Sequence, residues 1–147
     1  MASSLGKEIV VPDGMIEFIN LHVKENNYVV ISYNDSTDCN SCSFLPLTYW
    51  KYYQREVNKY KIKNILIAQS AEHDLIKYFD DFGISYPVIF DAKGEFKLKN
   101  KLSDNPKYHT IIINKDKKVI WIGSPVLDHR TWDLFIQMLK SLEKGKK

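Results

Sequence analysis

Cysteine is almost absent from this chain of 147 residues, which has only Cys39 and Cys42. Two cysteines are too few for a disulfide scaffold, and cross-linking so short a loop stabilises a fold little. Arginine is as scarce, with Arg55 and Arg130 the only two, so the formal charge of +3 rests on lysine. The lysines gather at 97–101, 115–118 and 144–147. These groups read as solvated turns and a tail. A nucleic-acid binder gathers Arg and Lys with aromatics on one face, so no nucleic-acid partner is expected. No apolar run approaches the roughly 20 residues that span a bilayer, and no transmembrane segment is expected. The first residues lack a charged stretch followed by an apolar one, so no secretory signal is read in the chain as given. A Gly-rich phosphate loop, His-Glu-x-x-His and Gly-x-Ser-x-Gly are also missing. Nucleotide use and triad hydrolysis therefore have no support.

What is present is a core. The hydrophobic fraction is 44%, with nine tyrosines, seven phenylalanines and three tryptophans. That suits one packed domain, expected over residues 5–143, with flexible termini at 1–4 and 144–147. Residues 7–11 read as a short strand stopped by Pro12-Asp13-Gly14. Residues 15–24 fit neither period cleanly. Residues 28–33 are β-branched and aromatic, as in a central strand buried on both faces. From Cys42 onward Phe44, Leu47, Trp50, Tyr53, Val57 and Tyr60 recur at helical spacing. Pro46 should kink or restart that helix. Residues 62–68 read as the next strand. A helix is expected over 71–82, with Leu75, Ile76, Phe79 and Phe82 on one face and Gly83 as C-cap. The proline in 86–91 favours an edge strand. Residues 92–94 form a turn, and 95–102 read as a short helix. Strands 110–113 and 119–122 form a hairpin. Asp128 caps a last helix whose Trp132, Phe135, Ile136, Leu139 and Leu142 face inward.

The order strand, loop, Cys39-Asn40-Ser41-Cys42, helix carries the chemistry. A helix N-terminus holds partial positive charge and unpaired N–H groups, which stabilise a thiolate. Cys39 is then the exposed, more acidic nucleophile. Cys42, one turn on, resolves a mixed disulfide. A metal ligand pair is the other reading, although zinc usually takes four protein ligands and no second Cys-x-x-Cys exists.

These residues resemble the thioredoxin-like superfamily. The carrying segments are Cys39-Asn40-Ser41-Cys42 after the strand at 28–33, then Ser85-Tyr86-Pro87-Val88-Ile89-Phe90-Asp91, then 109–116 leading to 119–123. The last two are similar to the "yPv-x-x-D" and "flID-x-dG" segments of the extended branch that includes peroxiredoxins and periplasmic thiol reductases. From Leu5 onward the chain is also similar to poorly characterised Bacteroidetes thioredoxin-like proteins, which share a "GKEI…P" start and often begin with a lipoprotein leader. The resemblance implies an α/β thioredoxin-like fold: a mixed central sheet flanked by helices, with an insertion before the C-terminal hairpin and helix. It implies thiol–disulfide exchange with protein thiols or disulfides, no dissociable cofactor, and a periplasmic or cell-envelope location.

Three positions depart from that pattern. Asp38 stands where thioredoxins usually have an aromatic residue, and its carboxylate opposes thiolate formation. No proline stands at His109, the position where the family's cis-proline is expected, so the Tyr108–His109 peptide should be trans. Tyr33 lies near the place of the family's buried acid. Asp38, Tyr108 and His109 are thus the supporting residues of the expected site. His109 would face the sulfurs, pair with a thiolate, or complete a copper-handling set with Cys39 and Cys42. A binding module with an idle cysteine pair is the third reading. Peroxidase chemistry is disfavoured: Ser36 stands three residues before Cys39, but Ser32 occupies the required proline position.

Overall fold

The computed structural model describes residues 5–35, 40–69 and 72–145, and only the backbone of 40–43. The five strands are β1 (Tyr28–Asn34), β2 (Ile62–Ala68), β3 (Val88–Phe90), β4 (Thr110–Ile113) and β5 (Val119–Ile122). They form one sheet in the order β3-β2-β1-β4-β5. β1 runs parallel to β2, and β2 to β3; β4 is antiparallel to both β1 and β5. β1 is therefore central, and all seven of its residues are buried. β3 is an edge strand with Pro87 immediately before it, since proline cannot donate to a ladder.

Helices cover both faces. α1 (Ile16–Glu25) and α4 (Glu95–Lys99) lie on one. There Met15, Ile19, Val23 and Phe96 join Val29, Ile31, Tyr33, Ile65, Ile67, Ile111 and Ile113 in one cluster. α2 (Asn40–Val57), α3 (Glu72–Phe82) and α5 (His129–Lys144) lie on the other. Trp50, Val57, Trp132, Phe135 and Leu139 pack there against Tyr28, Val30, Ile62 and Ile112. Phe44, Leu47 and Leu75 pack against Leu66 and Ala68. Burying aromatic rings edge to face, as Trp50 does with Trp132 and Phe135, adds to the area term.

Several elements differ from expectation. Residues 15–24 resolve as the helix α1, because His22 is buried beside Ile19 and Val23 and completes the inward face. The N-terminal segment makes only an isolated bridge, Glu8 to Lys118, with Gly6, Lys7 and Ile9 bonding to the β5 edge. α2 passes through Pro46 without ending. Proline lacks an N–H, so the Cys42 carbonyl receives no helical bond from residue 46. On α3, Ile76 and Phe82 are exposed, and on α5 so is Leu142. Their helices present wider apolar stripes than the sheet covers. Gly83 closes α3 at φ +61, and Asp128 caps α5 by accepting from Thr131 N at 2.8 Å. The expectations for residues 1–4, 146 and 147 lie outside the described residues.

Candidate functional site

α2 runs against β1 and β2. Phe44 and Leu47, near its start, meet Leu66 and Ala68 at the carboxyl end of β2. Trp50 and Val57, further on, meet Tyr28, Val30 and Ile62 at the amino ends. The N-terminus of α2 therefore stands at the carboxyl edge of the parallel strands, where α/β sheets place their sites. Cys42 belongs to the first turn of that helix. Asp38 and Cys39 lie outside the described residues.

β1 delivers the chain to this edge through Asn34 and Asp35, both buried. The Asn34 carbonyl accepts from Gln69 N at 2.9 Å, joining the ends of β1 and β2. The Asp35 carboxylate pairs with the Lys97 ammonium from α4. Lys97 also bonds Asp104 Oδ1 at 2.8 Å. These two carboxylates hold the Lys97 pKa above its ordinary value, with the Asp104 bond the larger cause. The Lys97 side chain is 19% exposed, so it is no solvated turn residue like its neighbours in sequence.

A second polar cluster lies beside the first. Asp91, 5% exposed, accepts from Tyr33 Oη at 3.1 Å, Glu95 N at 2.9 Å and Phe96 N at 3.0 Å. It thus caps α4 and anchors Tyr33 at once. Burial, then the Asp91 charge, push the Tyr33 hydroxyl pKa well upward. Tyr33 belongs to the cluster under α1 and α4. Strand alternation puts Ser32 and Asn34 on the α2 face instead. The hydroxyl of Tyr33, the residue near the place of the family's buried acid, thus serves Asp91 on the face under α1 and α4.

His109 is buried at the start of β4, with its carbonyl accepting from Tyr33 N at 2.9 Å. Its Nε2 lies 2.5 Å from Ser103 O, and its ring stands edge-on to Tyr33 at 6.0 Å. Tyr108 ends the short turn Pro106–Tyr108 and carries Lys107 Nζ 5.7 Å from its ring centroid. No peptide among the described residues is cis. His109 therefore joins the Tyr33 cluster, and its placement relative to the sulfurs lies outside the described residues. No group of three His, Cys, Asp or Glu able to hold a metal occurs among the described residues. Nor is any described helix long and apolar enough to cross a membrane.

Sequence reasoning missed Asp35, Lys97 and the role of Asp91. Asp91 stood in the quoted Tyr-Pro-Val segment, but nothing local signals that it caps the next helix. Asp35 and Lys97 are 62 residues apart, beyond any local pattern.

The architecture decides the fold: a central β1, parallel β2 and β3, an antiparallel hairpin, and the helix α2 with Cys42 in its first turn. This is a thioredoxin-like fold. Solved structures agree. Peroxidoxin BcpB from Mycobacterium tuberculosis superposes with a TM-score of 0.64 at 15% identity, over 84% of each chain. A candidate thiol:disulfide interchange protein, DsbE from Chlorobium tepidum, gives 0.60 at 16% identity, over 83% of this chain and 84% of that one. An uncharacterized thioredoxin-like protein from Porphyromonas gingivalis gives 0.57 at 18% identity, over 82% and 78%. No protein-family model and no curated protein matches the sequence.

Proposed function

We propose that this thioredoxin-like protein exchanges thiols and disulfides with protein substrates through Cys39 and Cys42. The supporting observation is the placement of the α2 N-terminus, with Cys42 in its first turn, at the carboxyl edge of β1 and β2. The aligned peptide dipoles favour a thiolate there. In the reducing direction the Cys39 thiolate attacks one sulfur of a substrate disulfide. That S–S bond breaks, a mixed disulfide forms, and one substrate thiolate leaves. The Cys42 thiolate then attacks the Cys39 sulfur and releases the second substrate thiolate. Two electrons pass to the substrate, and the pair is left as a disulfide. In this reading the Asp38 carboxylate opposes the first ionisation, and Tyr108 and His109 are supporting residues. An oxidising envelope compartment suits such a pair.

The test uses the full chain and its Cys39→Ser and Cys42→Ser variants with a disulfide-linked reporter peptide. Cys42→Ser should trap a mixed disulfide on Cys39, and Cys39→Ser should trap none. Turnover by the wild type should exceed the background with dithiothreitol alone. Trapping on Cys42 would reverse the roles, and wild-type turnover at the background rate would sink the proposal.

A further inference from the structure

On the face that α1 and α4 cover, a notch stays open over the antiparallel end of the sheet. Its volume is about 350 Å³, which falls among small-molecule sites. The floor is apolar, made by Ile111 of β4, Val119 of β5, Ile9 and Leu102. Ile9, Ile111 and Val119 are buried members of the core, so the notch reaches the core itself. Its walls are the N-terminal segment, tied to the β5 edge, and the end of α4. Asn100 joins the two walls. Its Oδ1 accepts from Val10 N at 2.8 Å and its Nδ2 donates to Val10 O at 2.7 Å, as a neighbouring strand would.

The mouth is basic. Lys7, Lys99 and Lys101 line it, and Glu8 is the one acid among the described lining residues. All three lysines are exposed, and none forms an ion pair among the described residues. Lys97, on the same helix as Lys99, is by contrast paired with two carboxylates. The last carbonyls of α4 are already taken: those of Phe96, Leu98 and Lys97 accept from the N–H groups of Asn100, Lys101 and Leu102. The helix end therefore presents ammonium groups to a ligand rather than bare carbonyls. Lys101 also holds a left-handed backbone at φ 51, a conformation that a β carbon makes costly and glycine adopts freely. A strained residue at the lip of a cavity points to a use for its side chain.

We propose that this notch binds a small amphipathic carboxylate, with its alkyl chain on the apolar floor and its carboxylate among Lys7, Lys99 and Lys101. The covered apolar area supplies affinity, and the charge-assisted bonds fix which end faces out. The proposal stands whether or not Cys39 and Cys42 exchange disulfides.

The test follows the amide resonances of the isotope-labelled full chain, at low ionic strength, during titration with monomeric octanoate, acetate or octanol. Octanoate should shift residues 7–10, 99–102, 111 and 119 saturably, as one site. Acetate lacks the chain and octanol the charge, so each should bind at least about tenfold more weakly. Lys101→Gly should weaken octanoate about tenfold and yet raise the urea midpoint, because it relaxes the backbone while deleting the ammonium. Lys99→Met should weaken octanoate severalfold at an unchanged midpoint. Unchanged affinity in both variants, acetate or octanol binding as well as octanoate, or shifts centred elsewhere overturn the proposal. Sedimentation with phosphatidylglycerol vesicles without any octanoate shift would assign the lysines to a membrane surface and overturn it as well.

Discussion

Replacing Asp91 by alanine removes three hydrogen bonds at one stroke. Its carboxylate accepts from Tyr33 Oη, Glu95 N and Phe96 N, at 3.1, 2.9 and 3.0 Å. It is 5% exposed, so water has little access to the donors left behind. Bonds to a charged group contribute about 1.5–3 kcal/mol each, and bonds to one group do not add fully. We expect Asp91→Ala to cost about 4 kcal/mol, against a typical stability of about 5–15 kcal/mol. For a chain of this size that is a fall in Tm of about 10–15 °C. Tyr33→Phe alone should cost about 1.5–3 kcal/mol, since it removes the bond to the charged Asp91 carboxylate. The double variant should cost less than the sum by about the same amount, because both changes delete the shared bond. Urea titration followed by tryptophan fluorescence and circular dichroism gives all four corners of this cycle. A cost below 1 kcal/mol for Asp91→Ala, or strict additivity with Tyr33→Phe, would refute the reasoning.

His22 is buried on α1, and burial, then the charge of Lys63, lower its pKa. The unfolded chain then binds this proton more readily than the fold, so stability is full above about pH 6.5 and falls as pH drops toward the folded pKa. Denaturant titrations at pH 7.5 and 5.5 should show a smaller loss in His22→Gln than in wild type; equal losses would count against it. Lys61 holds a left-handed backbone at φ 55 after the turn Asn58–Tyr60. Lys61→Gly should therefore raise stability by about 0.5–1 kcal/mol, read as an increased urea midpoint; a lowered midpoint would contradict the strain argument. Phe135 is fully buried among Trp50, Trp121 and Trp132. Phe135→Ala should cost about 3–5 kcal/mol and weaken the near-ultraviolet dichroism of those rings; a cost under 1 kcal/mol would mean that the site refills.

The sequence by itself determined the elements whose signal lies in consecutive residues. Residues 62–68, 110–113 and 119–122 are strands with the expected bounds, because short β-branched runs between polar turns have few other ways to be buried. The cap at Asp128 and the left-handed Gly83 were legible for the same reason, as each acts within one turn. Cys39-Asn40-Ser41-Cys42 could be read because its chemistry needs only a strand before it and a helix after it. α1 escaped the pattern because His22, polar by type, sits on its buried face, while Ile16 and Leu21 are exposed. Only the tertiary structure decided which face each side chain joined at the end of β1. There Tyr33 turned toward α4 and Asp91, leaving Ser32 and Asn34 toward α2. It alone also brought Lys97 to Asp35, a pair set by where the inserted segment folds back. Periodicity is a property of neighbours along the chain; a buried charge finds its partner through space, and the chain between them carries no trace of the encounter.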